Sequence, residues 1–250
     1  MSKEVPKVSI FGVPFSKMDM DETVGHITTR IQEGSLTHVI TANPIMVMAA
    51  LDNPQFATVL NSADIVVPDG AGVVWAAKYC GDPVAERVTG FDMMHRLLEQ
   101  AEKHKWKVFL LGTSDEIIGA AAEKLQLQFP QARIVGYRNG FFTPSQEEEI
   151  VEEIRSLSPH LLFVARGMDK EEWNVRLKER LGVPFIMGVG GSFDVVSGKL
   201  KRAPMLVQKL RIEWLYRLLQ EPSRYKRMLA LPKFVMKVVR ERENVTKTRP

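Results

Sequence analysis

The amino-acid sequence predicts an α/β protein: a mostly parallel sheet covered by helices on both faces, followed by a basic helical appendage. Three observations predict it. Short β-branched runs alternate with helix-capable segments over residues 1–194, the pattern of repeated β–α–β units. Several of these runs end in Gly, Asn or Asp just before a helix start, the corners at which open α/β sheets bind ligands. Charge also divides the chain. Residues 195–250 hold 15 Lys and Arg against 4 Asp and Glu, a net of +11, whereas residues 1–194 carry a net of −7. This reads as a core over 1–194 and an appendage over 195–250 whose cations meet a polyanion: anionic lipid, phosphate groups or nucleic acid.

Taken in order, 8–15 reads as a strand, 19–32 as a helix and 38–42 as a second strand. Asn43 then takes an N-cap and Pro44 the first helical position, opening a helix through Met46 and Met48 towards Leu60. Ile65-Val66-Val67 ends at Pro68-Asp69-Gly70, with a helix-capable segment next and Glu86-Arg87-Val88-Thr89-Gly90 closing the block. Residues 91–104 are helical, 107–111 a strand, and Gly112-Thr113-Ser114 a turn whose hydroxyls can cap a helix over 115–128. A strand follows at 133–137. Residues 144–156 form an exposed helix whose Glu147-Glu148-Glu149 run is a solvated face. Strand 161–164, helix 170–181 and strand 185–189 lead to Gly190-Gly191-Ser192-Phe193-Asp194. In the appendage, Leu206, Leu210, Trp214 and Leu218 lie four apart, one helical stripe over 204–219. Pro222 and Pro232 break the chain. Residues 234–240 form a short basic amphipathic helix, suited to a membrane surface or to packing on the body or a neighbouring subunit.

Composition narrows the classes. At 45% hydrophobic and 26% charged residues the chain is globular. No run of 18 apolar residues occurs, so no membrane-spanning helix is expected. The opening MSKEVPKVSIFGVPF lacks the apolar core and cleavage site of a signal peptide, so the cytoplasm is the expected compartment. Cys80 alone permits neither an intramolecular disulfide nor a cysteine-only metal site, and a packed, inert thiol is expected. His26, His38, His95, His104 and His160 are scattered, so no metal site is expected. No GxGxxG follows the first strand and no GxxxxGK[ST] occurs, which disfavours dinucleotide oxidoreductases and P-loop NTPases.

In the predicted sheet four loops share one edge: Thr41-Ala42-Asn43, Asp69-Gly70, Gly112-Thr113 and Gly190-Gly191-Ser192. Helix starts with Gly and Ser favour phosphate, and a nucleotide is the ligand that fits. Asp69, a carboxylate at a strand end, is a candidate base or ligand contact, although Pro-Asp-Gly also reads as a turn capped by its own Asp. Arg87 and the arginines of the appendage are the cations available to a departing diphosphate.

Beyond these patterns the chain resembles the WecG/TagA/CpsF family of bacterial glycosyltransferases, its N-acetylmannosaminyltransferase branch above all. The resemblance spans 8–239. It is carried by Ile10-Phe11-Gly12-Val13-Pro14, Thr41-Ala42-Asn43-Pro44, Val67-Pro68-Asp69-Gly70 and Glu86-Arg87-Val88-Thr89-Gly90-Phe91-Asp92. Further on it is carried by Gly188-Val189-Gly190-Gly191-Ser192-Phe193-Asp194, Lys201-Arg202-Ala203-Pro204 and Glu213-Trp214-Leu215-Tyr216-Arg217-Leu218. It implies a Rossmann-like core without cofactor. It implies inverting, metal-independent transfer of N-acetylmannosamine from UDP-ManNAc to undecaprenyl-diphosphate-GlcNAc, the linkage unit of wall teichoic acid. It implies an appendage that reaches the membrane and closes over the active site, hence a peripheral location on the inner face of the plasma membrane. The position of the general base is Asp69, with Thr41 and Arg87 beside it in catalysis. The implied substrate contacts are Asn43, Gly70, Glu171, Gly190, Gly191, Ser192 and Asp194, with Arg217, Arg224 and Arg227 reaching the diphosphate.

One segment departs from the family. Members usually carry Gly-x-Pro-Lys-Gln-Glu after the sixth strand, preceded by a small or aliphatic residue. Here Arg166-Gly167-Met168-Asp169-Lys170-Glu171-Glu172 puts Asp169 for Pro and Glu171 for the pocket Gln, and Ile45 stands where many members have an acid. An ionised carboxylate cannot donate hydrogen bonds and repels a diphosphate; Arg166 is available to pair with one of these acids. Two further readings stay open: a different UDP-sugar donor (glucose or N-acetylmannosaminuronic acid) for capsule or surface polysaccharide, or a UDP-binding protein of weak turnover. Nucleic acid is not an expected partner, because the appendage interleaves its cations with an apolar stripe and holds no recognisable module. That stripe must pack somewhere. An anionic membrane surface and a second copy of the chain both serve, so a homo-oligomer is expected alongside donor and acceptor.

Overall fold

The computed structural model describes residues 5–167 and 169–247. Both predicted chain limits, residues 1 and 250, and Met168 of the departing segment lie outside the described residues. In chain order the strands are β1 (Lys7–Ile10), β2 (Val13–Ser16), β3 (Thr37–Ala42), β4 (Ile65–Pro68), β5 (Lys107–Gly112), β6 (Arg133–Arg138), β7 (Leu161–Ala165) and β8 (Phe185–Gly188). The helices of the body are α1 (Met20–Gln32), α2 (Pro44–Asp52), α3 (Pro54–Asn61), α4 (Ala71–Tyr79), α5 (Gly90–His104), α6 (Asp115–Gln128), α7 (Glu147–Leu157), α8 (Lys170–Leu181) and α9 (Ser192–Ser197). Those of the appendage are α10 (Met205–Lys209), α11 (Glu213–Gln220), α12 (Tyr225–Met228), α13 (Ala230–Arg240) and α14 (Arg242–Val245).

The strands form one sheet in the order β1-β2-β4-β3-β8-β7-β5-β6. Every neighbouring pair is parallel except β1 and β2. Successive side chains of a strand face opposite layers. Val39, Ile65, Val67, Val108, Leu110, Phe163 and Met187 therefore pack under α1, α5 and α6. The alternate residues Ile40, Ala42 and Val66 meet α2, α4 and α13, and Phe109, Leu111, Leu162, Val164 and Ile186 meet α7 and α8. This is the doubly covered, mostly parallel α/β architecture read from the sequence.

Local chemistry revises several elements. The predicted 8–15 strand is a hairpin. Phe11 and Gly12 both take positive φ, 52° and 90°, the two-residue turn whose twist matches that of paired strands, and Lys7 to Ile10 pair antiparallel with Ser16 to Val13. The predicted 44–60 helix divides at Asn53-Pro54, because a residue before Pro is pushed out of the helical region. Asn53 sits at φ −133° and caps α3, its Oδ1 accepting from the Gln55 and Phe56 N–H groups. The acidic run of α7 is not a free solvated face. Glu147 takes both ends of Arg176 at 2.7 and 2.6 Å, Glu148 pairs with Arg180, and Glu149 reaches Arg138 at 3.1 Å. The acids thus tie α7 to α8 and β6.

The appendage is less regular than its periodicity. The 204–219 stripe breaks at Arg211, whose φ of 61° ends α10 and redirects α11. Pro232 does not break the chain: it is the third residue of α13, in the first turn, where a missing N–H costs nothing. α13 packs on the body, with Phe234 and Val238 fully buried and the Phe234 ring edge-on to Phe11 at 6.2 Å. Its other face leaves Val235, Met236 and Val239 exposed.

Candidate active site at the carboxyl ends of the strands

The parallel strands point their carboxyl ends to one edge, and the corner residues meet there. Asp69 follows β4; its N–H donates to the Ala42 carbonyl at 2.8 Å, which fixes the β4 corner against that of β3. Gly70, at φ 151°, opens α4. A Cβ at Gly70 would sit 3.0 Å from Pro44 Cδ and 3.4 Å from Asn43 Cβ, so only Gly lets the two helix starts touch. Asn43 Oδ1 accepts from the N–H groups of Ile45 and Met46 at 3.0 and 3.2 Å, leaving its amide donors outside the cap. Thr41 points to the other layer and lies against the start of α5, where a Cβ at Gly90 would come within 3.2 Å of its Oγ1. The segment before α5 runs beside β4, with the Val88 N–H on the Pro68 carbonyl at 3.0 Å.

Asp69 is partly exposed as a residue, yet the packing around its carboxyl pushes its pKa up from the ordinary value. Burial is the largest cause and Glu213 adds to it; Arg217, Arg87 and a hydrogen bond from the Gly90 N–H oppose it without prevailing. Arg87 Nη2 donates to Glu213 Oε1 at 2.6 Å, joining the body to α11. Asp69, Thr41, Arg87, Asn43, Gly70 and Arg217 are thus brought together.

The β8 corner adds a second group. Gly190 takes φ 54°, and a Cβ at Gly191 would lie 3.7 Å from Asp194 Oδ2 and 4.0 Å from Arg224 Nη2. Asp194 also pairs with Lys199 at 3.2 Å, and Arg224 with Glu221 at 2.8 Å. Ser192 is buried, and its hydroxyl donates to the Val189 carbonyl at 2.6 Å, so it holds the turn. Arg227 is exposed on α12.

Glu171 meets Lys170 and His38 rather than these arginines. It is buried on α8, where a Cβ at Gly188 would collide with its Oε1. Lys170 Nζ is 3.3 Å away, and His38 Nε2 on β3 stands 3.4 Å from Oε2, too distant and misaligned for a good hydrogen bond. Burial raises the Glu171 pKa, but His38 and Lys170 together outweigh it and hold the group below its ordinary value. Arg166 pairs with Asp169 at 3.2 Å, as its position suggested, and lies 4.2 Å over the Phe142 ring. That stack walls a cleft of about 530 Å³ with Trp173 and Arg176.

Among the described residues no group of three His, Cys, Asp or Glu is placed to hold a metal ion. Asp19-Met20-Asp21 has the spacing of a metal-diphosphate motif, but Asp19 caps α1 and Asp21 pairs with Arg96. Burial raises the Cys80 thiol, the reverse of what a nucleophile needs. Sequence reasoning missed three contributors: Glu213 on Arg87, the Gly90 N–H on Asp69, and His38 beside Glu171. Only Glu213 left a trace, standing four residues before Arg217 and so on the same helical face.

Several relatives match most of this chain. It is 36% identical over 228 residues to a Bacillus spizizenii protein named N-acetylglucosaminyldiphosphoundecaprenol N-acetyl-β-D-mannosaminyltransferase, covering 90% of this chain and 88% of that one. Proteins of the same name from Staphylococcus aureus (strain MW2) and Bacillus subtilis (strain 168) are 33% and 32% identical over 246 and 239 residues. These alignments cover 97% and 94% of this chain, and 96% and 92% of the relatives. The model of the glycosyl transferase WecG/TagA/CpsF family matches residues 8–248, and with these relatives and this edge the chain belongs to that family.

Proposed function

We propose that this chain transfers N-acetylmannosamine from a UDP-linked donor to undecaprenyl-diphosphate-linked N-acetylglucosamine, with inversion and without a metal. The relatives' names supply the acceptor and the sugar. The observation that carries the mechanism is the Asp69 carboxyl at the end of β4, where its N–H donates to the Ala42 carbonyl and the charges of Arg217 and Arg87 act on it. The acceptor hydroxyl oxygen attacks the anomeric carbon as its proton passes to Asp69. The bond to UDP breaks, and its electron pair leaves on the β-phosphate. A carboxylate made more basic by burial is suited to accept that proton, a contribution of roughly 10²–10⁴-fold. The departing diphosphate carries its charge into a region supplied with Arg87, Arg217 and Arg224, planar donors matched to phosphate oxygens.

The acceptor's head group stays at a bilayer surface. The appendage exposes Met205, Leu206, Leu210, Trp214 and Leu219 among Lys209, Arg211, Lys226 and Arg227. This mixture suits an anionic interface, to which each cation contributes on the order of 1 kcal/mol. No helix among the described residues is long and apolar enough to cross a membrane, so the proposed contact is peripheral, on the inner face. A second copy is the other cover that would suit this stripe.

The test is UDP release by purified protein with UDP-ManNAc and a short-chain prenyl-diphosphate-GlcNAc. Release that requires acceptor and drops by about 10²–10⁴-fold in Asp69→Ala is expected. Release unaffected by that substitution would remove Asp69 from the base role. Release only with another UDP-sugar would reassign the donor.

A further inference from the structure

We propose that Glu213 is a positioning residue: it docks the appendage on the catalytic edge by holding Arg87 through one guanidinium nitrogen, and so delivers Arg217 to Asp69. This rests on the transferase reading above and adds to it the device by which the appendage is seated.

α11 has no buried residue of its own. Trp214, Leu215 and Leu219 are exposed and Tyr216 and Leu218 only half-buried, so apolar burial holds this helix weakly. Polar contacts at its two ends hold it further. At the far end Gln220 exchanges hydrogen bonds with the Lys201 backbone at 3.0 and 3.1 Å, a contact within the appendage that holds α11 to the segment before α10. At the near end Glu213, the first residue of α11, meets Arg87 at 2.6 Å. The pair spans 126 positions of sequence, and its side chains are only 24% and 18% exposed. It is therefore less screened than a surface ion pair, and charge-assisted bonds of this length are the strong ones.

Arg217 follows Glu213 by four residues and shares its face of the helix. Anchoring Glu213 thus fixes where Arg217 stands, and Arg217 exerts the largest charge effect on Asp69 of the neighbouring ions. Arg87 has five N–H donors, and one contact through Nη2 leaves the others for phosphate oxygens. The rival idea is that Glu213 merely occupies Arg87 in place of the diphosphate. It predicts the opposite kinetic effect.

The experiment compares full-length wild type, Glu213→Ala, Glu213→Gln, Arg217→Ala and the double variant Glu213→Ala/Arg217→Ala. Its readouts are steady-state kinetics, the pH–rate profile and hydrogen exchange over 213–220. Glu213→Ala should lower kcat by about 10- to 100-fold, the scale of a lost charged hydrogen bond, with donor KM changed less than about threefold. Glu213→Gln, which keeps an acceptor oxygen for Arg87, should restore most of that loss. It should also move the acid limb of the profile to lower pH, because the Glu213 charge is one cause holding Asp69 up. In the Arg217→Ala background Glu213→Ala should add less than about threefold, since both act through one group. Exchange over 213–220 should rise in Glu213→Ala and not in Arg217→Ala. Faster turnover or tighter UDP binding in Glu213→Ala, fully multiplicative effects, or unchanged exchange would each overturn the proposal. A wild-type chain that transfers nothing would sink the transferase reading instead, while the exchange measurement still decides the docking.

Discussion

The pKa values of Asp69 and Glu171 are shifted in opposite directions. Asp69 is raised, so its contribution to stability is present below its unfolded value near 3.8 and is lost as pH rises through the folded one. Asp69→Asn should therefore raise the melting temperature at pH 7.5, and the gain should vanish near pH 3, as calorimetry across pH would record. Under the proposed mechanism, in which the ionised Asp69 takes the proton, the same shift places the acid limb of kcat/KM above the ordinary carboxylate range. Glu171 is lowered, so its contribution is present above 4.5 and is lost as pH falls through its folded value. Glu171→Gln leaves Lys170 without its carboxylate and should cost about 1–3 kcal/mol at pH 7 by denaturant titration, less in acid. A variant at least as stable as wild type at pH 7 would mean that the buried pair contributes nothing.

Elements carry two further expectations. Lys105 ends α5 in the left-handed region, φ 54° and ψ 37°, and is exposed. A side chain resists that conformation and Gly does not, so Lys105→Gly should stabilise the chain by about 0.5–1 kcal/mol, a rise in Tm of about 1–3 °C. α13 is held by Phe234 in a pocket that includes Phe11, Pro44 and Gly72. Phe234→Ala should cost about 3–5 kcal/mol. Because α13 packs on α2 and α4, which start at the candidate site, the variant should also lose activity well below its Tm. Undiminished activity would show that α13 holds the fold without supporting the site.

At the scale of the molecule, charge and apolar surface are separated. Residues 1–194 are net acidic, and the net positive charge lies in 195–250, which also expose a run of large apolar side chains. Replacing Leu206 and Leu210 together by Glu should reduce co-sedimentation with vesicles containing anionic lipid by tenfold or more, since it removes apolar area and adds repulsion. Turnover of a water-soluble short-chain acceptor should be far less affected. Retained vesicle binding, with loss of a dimer on sedimentation instead, would assign the stripe to a second copy of the chain.

Although the Ser114 hydroxyl expected to cap α6 makes no cap bond, the sequence by itself determined the alternation of elements, the Asn43 cap of α2 and the edge on which the corners gather. These depend on local chemistry: β-branched runs, Asn-Pro starts, and glycines at strand ends. The helices over 115–128 and 170–181 stand at the residues their periodicity marks. The left-handed Phe11-Gly12 turn within a continuous apolar run carried too weak a local signal, and so did the pairing of Glu147 to Glu149 with distant arginines. Asp69 was legible as a residue at a strand end. Its raised pKa was not, because that depends on burial and on charges 18 to 148 positions away in sequence. Glu171 stood in the right motif, but only packing decided that it faces Lys170 and His38. Tertiary structure alone brought Glu213 to Arg87, because an ion pair between chain segments 126 positions apart leaves no periodicity to read.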